Sequence, residues 1–293
     1  MISILFSYDF WVGAAGTSLL ALAGSIVGCF SVYQGQSLVG DAIGHSAYPG
    51  VVLAFICFQT RDPLILTIGA ALSGGMAYFL IHSLRDGGGI DFDSALALVL
   101  TGMFGLGMVL KTYTQGNPAY ADASQAGLKN YIFGSAAFLM KRDAALIFCS
   151  GALVLSLLFL FRRILLISIF DRGYAKAIGI PEALGTAALL FMMIVLISVG
   201  LKSVGAVLIS SFLLIPCICA NQHSRSLGPI LLLSALTGIL SALFGTFLST
   251  AYRGLSTGPM IILCMGSVTL LSMIFGRYGL LPRMLRKRGK END

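Results

Sequence analysis

The sequence predicts an all-α protein that crosses a membrane several times. Its 293 residues are 57% hydrophobic and only 11% charged, with a mean hydropathy of +0.92. Soluble globular domains are about 25% charged, so this chain lacks the polar side chains needed to face water on all sides. No polar block as large as a domain interrupts it. We therefore expect one polytopic bundle of transmembrane helices.

Nine stretches without Asp, Glu, Lys or Arg locate the expected helices. A transmembrane helix needs about 20 mainly apolar residues, and each stretch is long enough to supply one. Lys202 alone separates the sixth stretch from the seventh, and it is most simply a turn residue that reaches toward the membrane surface. These two stretches could also form one span and a re-entrant or broken helix, so we expect eight or nine spans. The stretches are residues 10–40, 42–60, 63–84, 94–110, 144–161, 183–201, 203–222, 226–252 and 254–276.

Positive charges predict the orientation of the chain. Arg162 and Arg163 end the fifth stretch, and further basic residues follow them. Basic residues that flank a span mark its cytoplasmic side, so we expect the connection 162–182 in the cytoplasm. We also expect a basic cytoplasmic tail, residues 277–293, which can contact anionic lipid, behind a transmembrane domain of residues 1–276. Counted backward from this connection through five spans, the N-terminus lies outside, and it lies inside if one of these upstream stretches does not cross.

Composition and motifs exclude several other classes of protein. Much of the net charge of +7 lies at the C-terminal end, which signals membrane topology rather than binding of nucleic acid. All six cysteines lie within apolar stretches without a CxxC pair, so we expect neither disulfides nor a soft-metal cluster. No GxxxxGK[ST], HExxH or GxSxG motif occurs, and we expect no nucleotide hydrolysis or other catalysis by this chain.

Ionisable residues within the apolar stretches are functional candidates, because charge inside a membrane is unfavourable. His82 lies one turn before Arg85 and is expected at an interface. Asp41 and His45, in the stretch GDAIGH, are four residues apart and therefore share one face of a helix. A carboxylate oxygen and an imidazole nitrogen together suit Mn²⁺, Fe²⁺ and Zn²⁺.

Two ligands are fewer than the four or so that zinc takes. We therefore expect further ligands, either from a second copy of the chain across a two-fold axis or from other helices. The alternative is structural: Asp41 would cap the helix after Gly40, and His45 would fill a polar gap.

Two connections between the stretches are long. Residues 111–143 are predicted to form a polar loop and a short interfacial segment. In the second connection, Asp171 is predicted to be an N-cap, about two helical turns follow, and Pro181 begins a new helix. A short cytoplasmic helix between two spans can bind in a groove of a soluble partner, although an ordinary loop is the alternative.

Four stretches resemble the membrane permease subunits of the bacterial manganese, zinc and iron ABC importers. The four stretches follow one another in the same order as in that family, and together they extend over nearly the whole chain. One difference is Gly44, which stands before His45 where the family usually has serine. The stretches are SLVGDAIGHSAYPGVVLAF (37–55), YIFGSAAF (131–138), FDRGYAKAIGIP (170–181) and VGAVLISSFLLIPCICA (204–220).

This resemblance implies a multi-pass permease of the bacterial inner (plasma) membrane that pairs with a second copy or a paralogue. It implies that Asp41 and His45 line the path of a manganese, zinc or iron ion, that no cofactor is bound covalently, and that alternating access moves the ion. An extracytoplasmic metal-binding protein would deliver the ion, and a separate cytoplasmic ATPase dimer would drive transport. The coupling segment 171–181 would contact this ATPase through Asp171, Arg172, Tyr174, Ala175, Gly179 and Ile180.

Other functions remain open from the residues alone. A secondary transporter could use Asp41 and His45 as a relay for protons and ions. A membrane scaffold or sensor would hold the same pair for structural reasons. A permease for siderophores or cobalamin shares the architecture, but its wide path should lack compact carboxylate and imidazole ligands.

Overall fold

The protein is a bundle of helices. The computed structural model describes residues 8–60, 62–117, 120, 131, 134, 141–252 and 255–282, and within these residues it contains ten helices and no strand. The all-α prediction is confirmed. The helices are α1 (Tyr8–Tyr33), α2 (Val39–Phe58), α3 (Pro63–Gly88), α4 (Phe92–Gly116), α5 (Lys141–Phe170), α6 (Arg172–Ala177), α7 (Glu182–Val204), α8 (Ala206–Asn221), α9 (Leu227–Ala251) and α10 (Thr257–Phe275). Most of the predicted interfacial segment and residues 283–293 of the tail lie outside the described residues.

The number of long helices agrees with the eight or nine predicted spans. Eight of the described helices are long and apolar enough to cross a membrane. α8 is shorter: its 16 residues extend about 24 Å at a rise of 1.5 Å per residue. The two stretches on either side of Lys202 therefore form a long helix followed by a short one.

The break between α7 and α8 is at Gly205, not at Lys202. Gly205 has a φ of 85° and a ψ of 161°, a conformation that glycine adopts without strain. Lys202 lies inside the last turn of α7, and its Nζ donates a hydrogen bond to Oδ1 of Asp143 on α5 at 2.7 Å. The prediction that Lys202 is a turn residue is therefore wrong, because a buried carboxylate holds its side chain against the bundle.

Contacts between helix ends identify the two ends of the bundle. The ring of Tyr33, at the end of α1, lies 5.7 Å from the ring of Phe170, at the end of α5. The Nε2 of Gln34 donates a hydrogen bond to Oγ1 of Thr186, near the start of α7, at 2.6 Å. Because α6 connects α5 to α7 here, we call this the α6 end.

The start of the first described helix and the end of the last one lie at opposite ends of the bundle. Phe10, near the start of α1, packs against Phe247, near the end of α9, with 6.4 Å between ring centroids. After α10, by contrast, the N–H of Tyr278 donates to the carbonyl oxygen of Gln222 at the α6 end. The start of α1 and the end of α10 therefore face opposite ends of the bundle, as expected if α8 completes a ninth pass.

α1 and α2 form the centre of the bundle. In the most apolar window of each helix, 67% of residues are buried, against 28% in α3 and 22% in α4. Hydropathy does not explain this difference, since α2 has the lowest value of the eight long helices, 1.3, and the largely exposed α5 has 2.5. α2 is buried because α3, α4, α7 and α8 all pack around it.

Two glycines permit the close approach of α2 and α3. A Cβ added at Gly50 would lie 2.1 Å from the carbonyl oxygen of Gly69, and one added at Gly69 would lie 2.5 Å from the carbonyl oxygen of Gly50. Small residues allow such backbone contact between helices in a membrane.

Gly50→Ala is expected to lower the free energy of unfolding by about 1–3 kcal/mol, because the added methyl group forces the two backbones apart. Thermal unfolding of the purified chain in detergent measures the effect. Gly102→Ala on α4 is the matched control, since its methyl group meets no atom within 4 Å. Equal melting temperatures for the two variants would contradict this account of the α2–α3 contact.

Candidate metal site on helix α2

Asp41 and His45 are the accessible residues in the first half of a buried helix. Every other residue of α2 from Val39 to Val52 is buried. The side chains of Asp41 and His45 keep 44% and 20% of their surface exposed. The prediction that both residues lie on one face is confirmed, and that face is the open one.

The distance between the two side chains suits a shared ion. Oδ1 of Asp41 lies 3.5 Å from Nε2 of His45, which is longer than a normal N–H···O hydrogen bond. Two ligand atoms that each bind one ion at about 2.1 Å are themselves about 3.0–3.5 Å apart. The pair could therefore bind a divalent ion with little rearrangement.

The pair lies near half the height of the bundle. The ring of His45 meets the ring of Phe104 edge-on, with 5.2 Å between centroids. Phe104 is twelve residues from either end of α4, which runs from Phe92 to Gly116. An ion bound by Asp41 and His45 would therefore lie well inside the membrane.

Asp41 is not the cap of its helix. α2 begins at Val39, Leu38 occupies the N-cap position, and no side chain makes a capping hydrogen bond. The alternative interpretation of Asp41 as the helix cap is therefore wrong. As a first-turn carboxylate it is still stabilised by the positive end of the helix dipole.

The same helix does not supply further ligands. In the described ranges, no three His, Cys, Asp or Glu residues come together as a metal-binding group. Tyr48, one turn beyond His45, is buried and packs against Phe104 with 6.2 Å between ring centroids. Asp41 and His45 thus provide two ligands, and water, neutral oxygen atoms or a second chain would have to provide the rest.

The predicted coupling segment forms a short capped helix. Oδ1 of Asp171 accepts a hydrogen bond from the N–H of Tyr174 at 2.8 Å, so the predicted N-cap is confirmed. α6 is only six residues long. Gly179 then adopts a φ of 74°, and this left-handed turn redirects the chain into α7.

The residues expected to contact an ATPase differ in their exposure. Tyr174 is 54% exposed and the neighbouring Ile178 is 46% exposed, whereas Ala175 is completely buried. Ala175 therefore packs against the bundle and positions α6. Ile180 is half-buried, and the side chain of Arg172 lies outside the described residues.

The remaining stretches that suggested a family resemblance lie around the break after α7. Within YIFGSAAF, the structure describes Tyr131 and Gly134. Gly134 has a φ of 77°, and a Cβ there would lie 2.4 Å from the carbonyl carbon of Val204. VGAVLISSFLLIPCICA forms the end of α7, the break and nearly all of α8, with Pro216 inside that helix.

The ion pair between Asp143 and Lys202 could not be predicted from local sequence patterns. The two residues are 59 positions apart, so no helical spacing connects them. Asp143 also follows two basic residues at the end of a polar connection, where a solvated charge is the usual expectation. The side chain of Asp143 is instead 5% exposed and that of Lys202 27% exposed.

Known proteins resemble this chain over almost its whole length. The ABC 3 transport family matches residues 7–276. The manganese transport system membrane protein MntC of Bacillus subtilis is 36% identical over 277 residues, which are 94% of this chain but only 63% of that protein. The zinc transport system membrane protein TroC of Treponema pallidum is 36% identical over 274 residues, which are 93% of this chain and 91% of that protein.

A solved structure has the same fold. PsaBC from Streptococcus pneumoniae in complex with Fab matches with a TM-score of 0.83 and 26% identity, covering 95% of this chain and 97% of the matched chain. The family match extends past the end of α10 and includes Asp41, His45 and the α6 segment. The resemblance inferred from four short stretches is thereby confirmed, and this chain belongs to the ABC 3 transport family.

Proposed function

We propose that this chain is the transmembrane permease of an ABC importer that moves a divalent transition metal ion, manganese, zinc or iron, into the cytoplasm. The observation that carries the proposal is the pair Asp41 and His45. Both side chains are accessible in the otherwise buried first part of α2, they are spaced as two ligands of one ion, and they lie near half the height of the bundle. Two of the similar proteins are membrane proteins of manganese and zinc transport systems, which supports a metal substrate.

Asp41 and His45 are a transit site in this proposal. A transported ion has to be bound strongly enough to lose water and weakly enough to leave again. One carboxylate and one imidazole meet this requirement better than a complete four-ligand site. A second copy or a paralogue that presents the same helix across a two-fold axis would double the ligand set during passage.

The orientation follows from the basic residues at the α6 end. Arg162 and Arg163 lie in the last third of α5, close to this end, and positive charge favours the cytoplasmic side. We therefore assign the α6 end and the C-terminus to the cytoplasm of a bacterial inner membrane. Residues 1–276 then form the permease domain and residues 277–293 a cytoplasmic tail that can contact anionic lipid.

The α6 segment transmits the movement of the ATPase. ATP is hydrolysed by a separate subunit in this family, and we assign the exposed side chains of Tyr174 and Ile178 to a groove of that ATPase dimer. Buried Ala175 packs α6 against the bundle. A movement of the ATPase groove that displaces α6 would therefore be transmitted to the adjoining helices α5 and α7. An extracytoplasmic metal-binding protein would deliver the ion at the opposite end, and alternating access would release it at the α6 end.

Reconstituted vesicles test this function. With the ATPase and the metal-binding protein present, ATP is expected to drive uptake of radiolabelled manganese or zinc, and an uncoupler that removes the proton gradient should leave uptake intact. Complexes with an ATPase that cannot hydrolyse ATP are the control. Uptake driven by the proton gradient without ATP would instead indicate a secondary transporter, and uptake of a siderophore or cobalamin alone would overturn the substrate assignment.

A further inference from the structure

Basic residues dominate the C-terminal part of the sequence. From residue 183 to residue 290 the chain contains nine lysines and arginines and no aspartate or glutamate. Two of these arginines, Arg225 and Arg277, meet at the α6 end, where the connection between α8 and α9 lies against the residues that follow α10. We call this place the basic corner and define it by Arg225, Arg277 and Tyr278.

Both arginines of the basic corner lie beside the same aromatic ring. The Cζ atom of Arg225 is 4.7 Å from the centre of the Tyr278 ring, and that of Arg277 is 6.0 Å from it. These distances are within the range of a cation–π interaction. The two arginine side chains are exposed, and Tyr278 is half-buried. A guanidinium group beside a ring still presents N–H donors along its edge, in the fork arrangement that matches the oxygens of a phosphate.

The basic corner has no negative charge of its own. Within the described residues, no carboxylate pairs with Arg225 or Arg277. Two positive charges beside one ring repel each other, and an anion that accepts hydrogen bonds from both would offset this repulsion. The corner therefore attracts an anion from outside the chain.

Contacts between segments that are distant in sequence hold the basic corner in place. The N–H of Tyr278 donates a hydrogen bond to the carbonyl oxygen of Gln222 at 2.9 Å, and Oγ of Ser272 lies 2.6 Å from Nε2 of His223. Gly276 packs so closely here that an added Cβ would lie 2.8 Å from the Cβ of Gln222. Because this backbone is already ordered, a ligand that binds between the arginines has less conformational entropy to overcome.

The position of the basic corner indicates which kind of anion it receives. α8 ends at Asn221, α9 begins at Leu227 and α10 ends at Phe275, so the two guanidinium groups lie where the apolar helices leave the membrane core. The last turns of α10 expose Leu271, Ile274 and Phe275, at 56%, 39% and 68% of their surface. A phospholipid matches both features, because it joins a phosphate at this level to acyl chains that cover apolar side chains. A small soluble anion would match the charge alone.

We propose that the basic corner binds the phosphate headgroup of an anionic phospholipid. Arg225 and Arg277 donate charge-assisted hydrogen bonds to the phosphate oxygens, and the acyl chains lie along the exposed side of α10. This site differs from the general attraction of the basic tail for anionic lipid, because it depends on two particular arginines held by the fold. It does not depend on what the protein transports. With the α6 end in the cytoplasm, the bound lipid belongs to the inner leaflet.

Native mass spectrometry of the full-length chain in detergent tests the site. The wild-type chain should bind phosphatidylglycerol about tenfold or more tightly than phosphatidylcholine with the same acyl chains. Arg225→Gln combined with Arg277→Gln should remove this preference, and both side chains are exposed, so we expect the variant to fold. Arg162→Gln combined with Arg163→Gln is the matched control and should keep the preference. It removes the same charge from exposed positions of α5 near the same end, and Arg162 also lies 4.7 Å from the centre of an aromatic ring.

Other outcomes would assign the basic corner differently. An equal loss of preference in the two double variants would show a diffuse attraction and overturn the proposal. Inorganic phosphate in hundredfold excess should not displace the lipid, because it makes no apolar contact; displacement at equal concentration would identify a site for a free anion instead. If Arg225→Gln with Arg277→Gln keeps the lipid preference but no longer copurifies with the ATPase, the corner is a contact with that subunit and the lipid site is wrong.

Discussion

Replacing Asp41 and His45 together with alanine is expected to reduce ATP-driven metal uptake about 100-fold or more. Loss of a single supporting residue around a metal typically weakens binding 10- to 100-fold, and here both proposed protein ligands of the transit site disappear. Assembly with the ATPase should survive, because the pair lies at half-height and the α6 segment is at the end of the bundle. Uptake of radiolabelled manganese and zinc in vesicles measures the effect and shows which ion matters.

The control for this experiment is a substitution at another accessible residue close to Asp41 and His45. Leu38→Ala removes a residue that is 46% exposed just before α2 but has no ligand atom, and it should leave uptake within about twofold of wild type. Asp41→Asn keeps the side-chain shape without the charge, and His45→Gln keeps a polar side chain without the imidazole ring. Normal uptake by a chain with both of these substitutions would show that the pair is structural and that the ion passes elsewhere.

Lys202→Met is expected to lower the free energy of unfolding by about 3–5 kcal/mol. The reason is that the substitution removes the ammonium group that lies 2.7 Å from Oδ1 of Asp143, a carboxylate whose side chain is only 5% exposed. The nearby Tyr131 indicates that this region is poorly solvated. Burial is the larger cause that raises the pKa of its hydroxyl, and the charge of Asp143 is the smaller one. Thermal unfolding of the purified chain in detergent measures the loss.

A double variant separates this charge effect from lost packing. Asp143→Leu combined with Lys202→Met removes both charges and should restore most of the stability, since apolar replacement of a buried pair is often neutral or favourable. Lys111→Met on α4 is the control, because Lys111 is also half-buried and lies within two turns of the end of its helix. A double variant as unstable as Lys202→Met alone would show that packing, and not the loss of the charge pair, determines the result.

Local patterns predicted much of this protein because membrane helices follow from local chemistry. Uncharged stretches of sufficient length have to satisfy their backbone groups internally, so their positions agree with the observed helices. The spacing of Asp41 and His45 places them on one face by helical geometry alone. Asp171 caps α6 through a hydrogen bond to Tyr174, three residues away, which is also a local interaction.

Tertiary contacts changed the predictions for particular residues. Lys202 lies within the last turn of α7 and pairs with Asp143 of another helix, and the chain turns at Gly205 instead. Ala175 was expected to contact an ATPase, yet it is buried against the bundle. In each case a distant segment, absent from any local pattern, decides the environment of the side chain.

By itself, the sequence determined the all-α membrane fold, the number of long helices within one, the shared face of Asp41 and His45, and the family. Only the tertiary structure decided that α2 is buried, that its one open strip in the first half carries Asp41 and His45, and that Arg225, Arg277 and Tyr278 meet at one corner of the bundle. The physical reason is the uniform hydropathy of the helices. Apolar composition is enough to place a helix in a membrane, whereas the packing of helices against each other determines which of them faces lipid, another helix or a polar space.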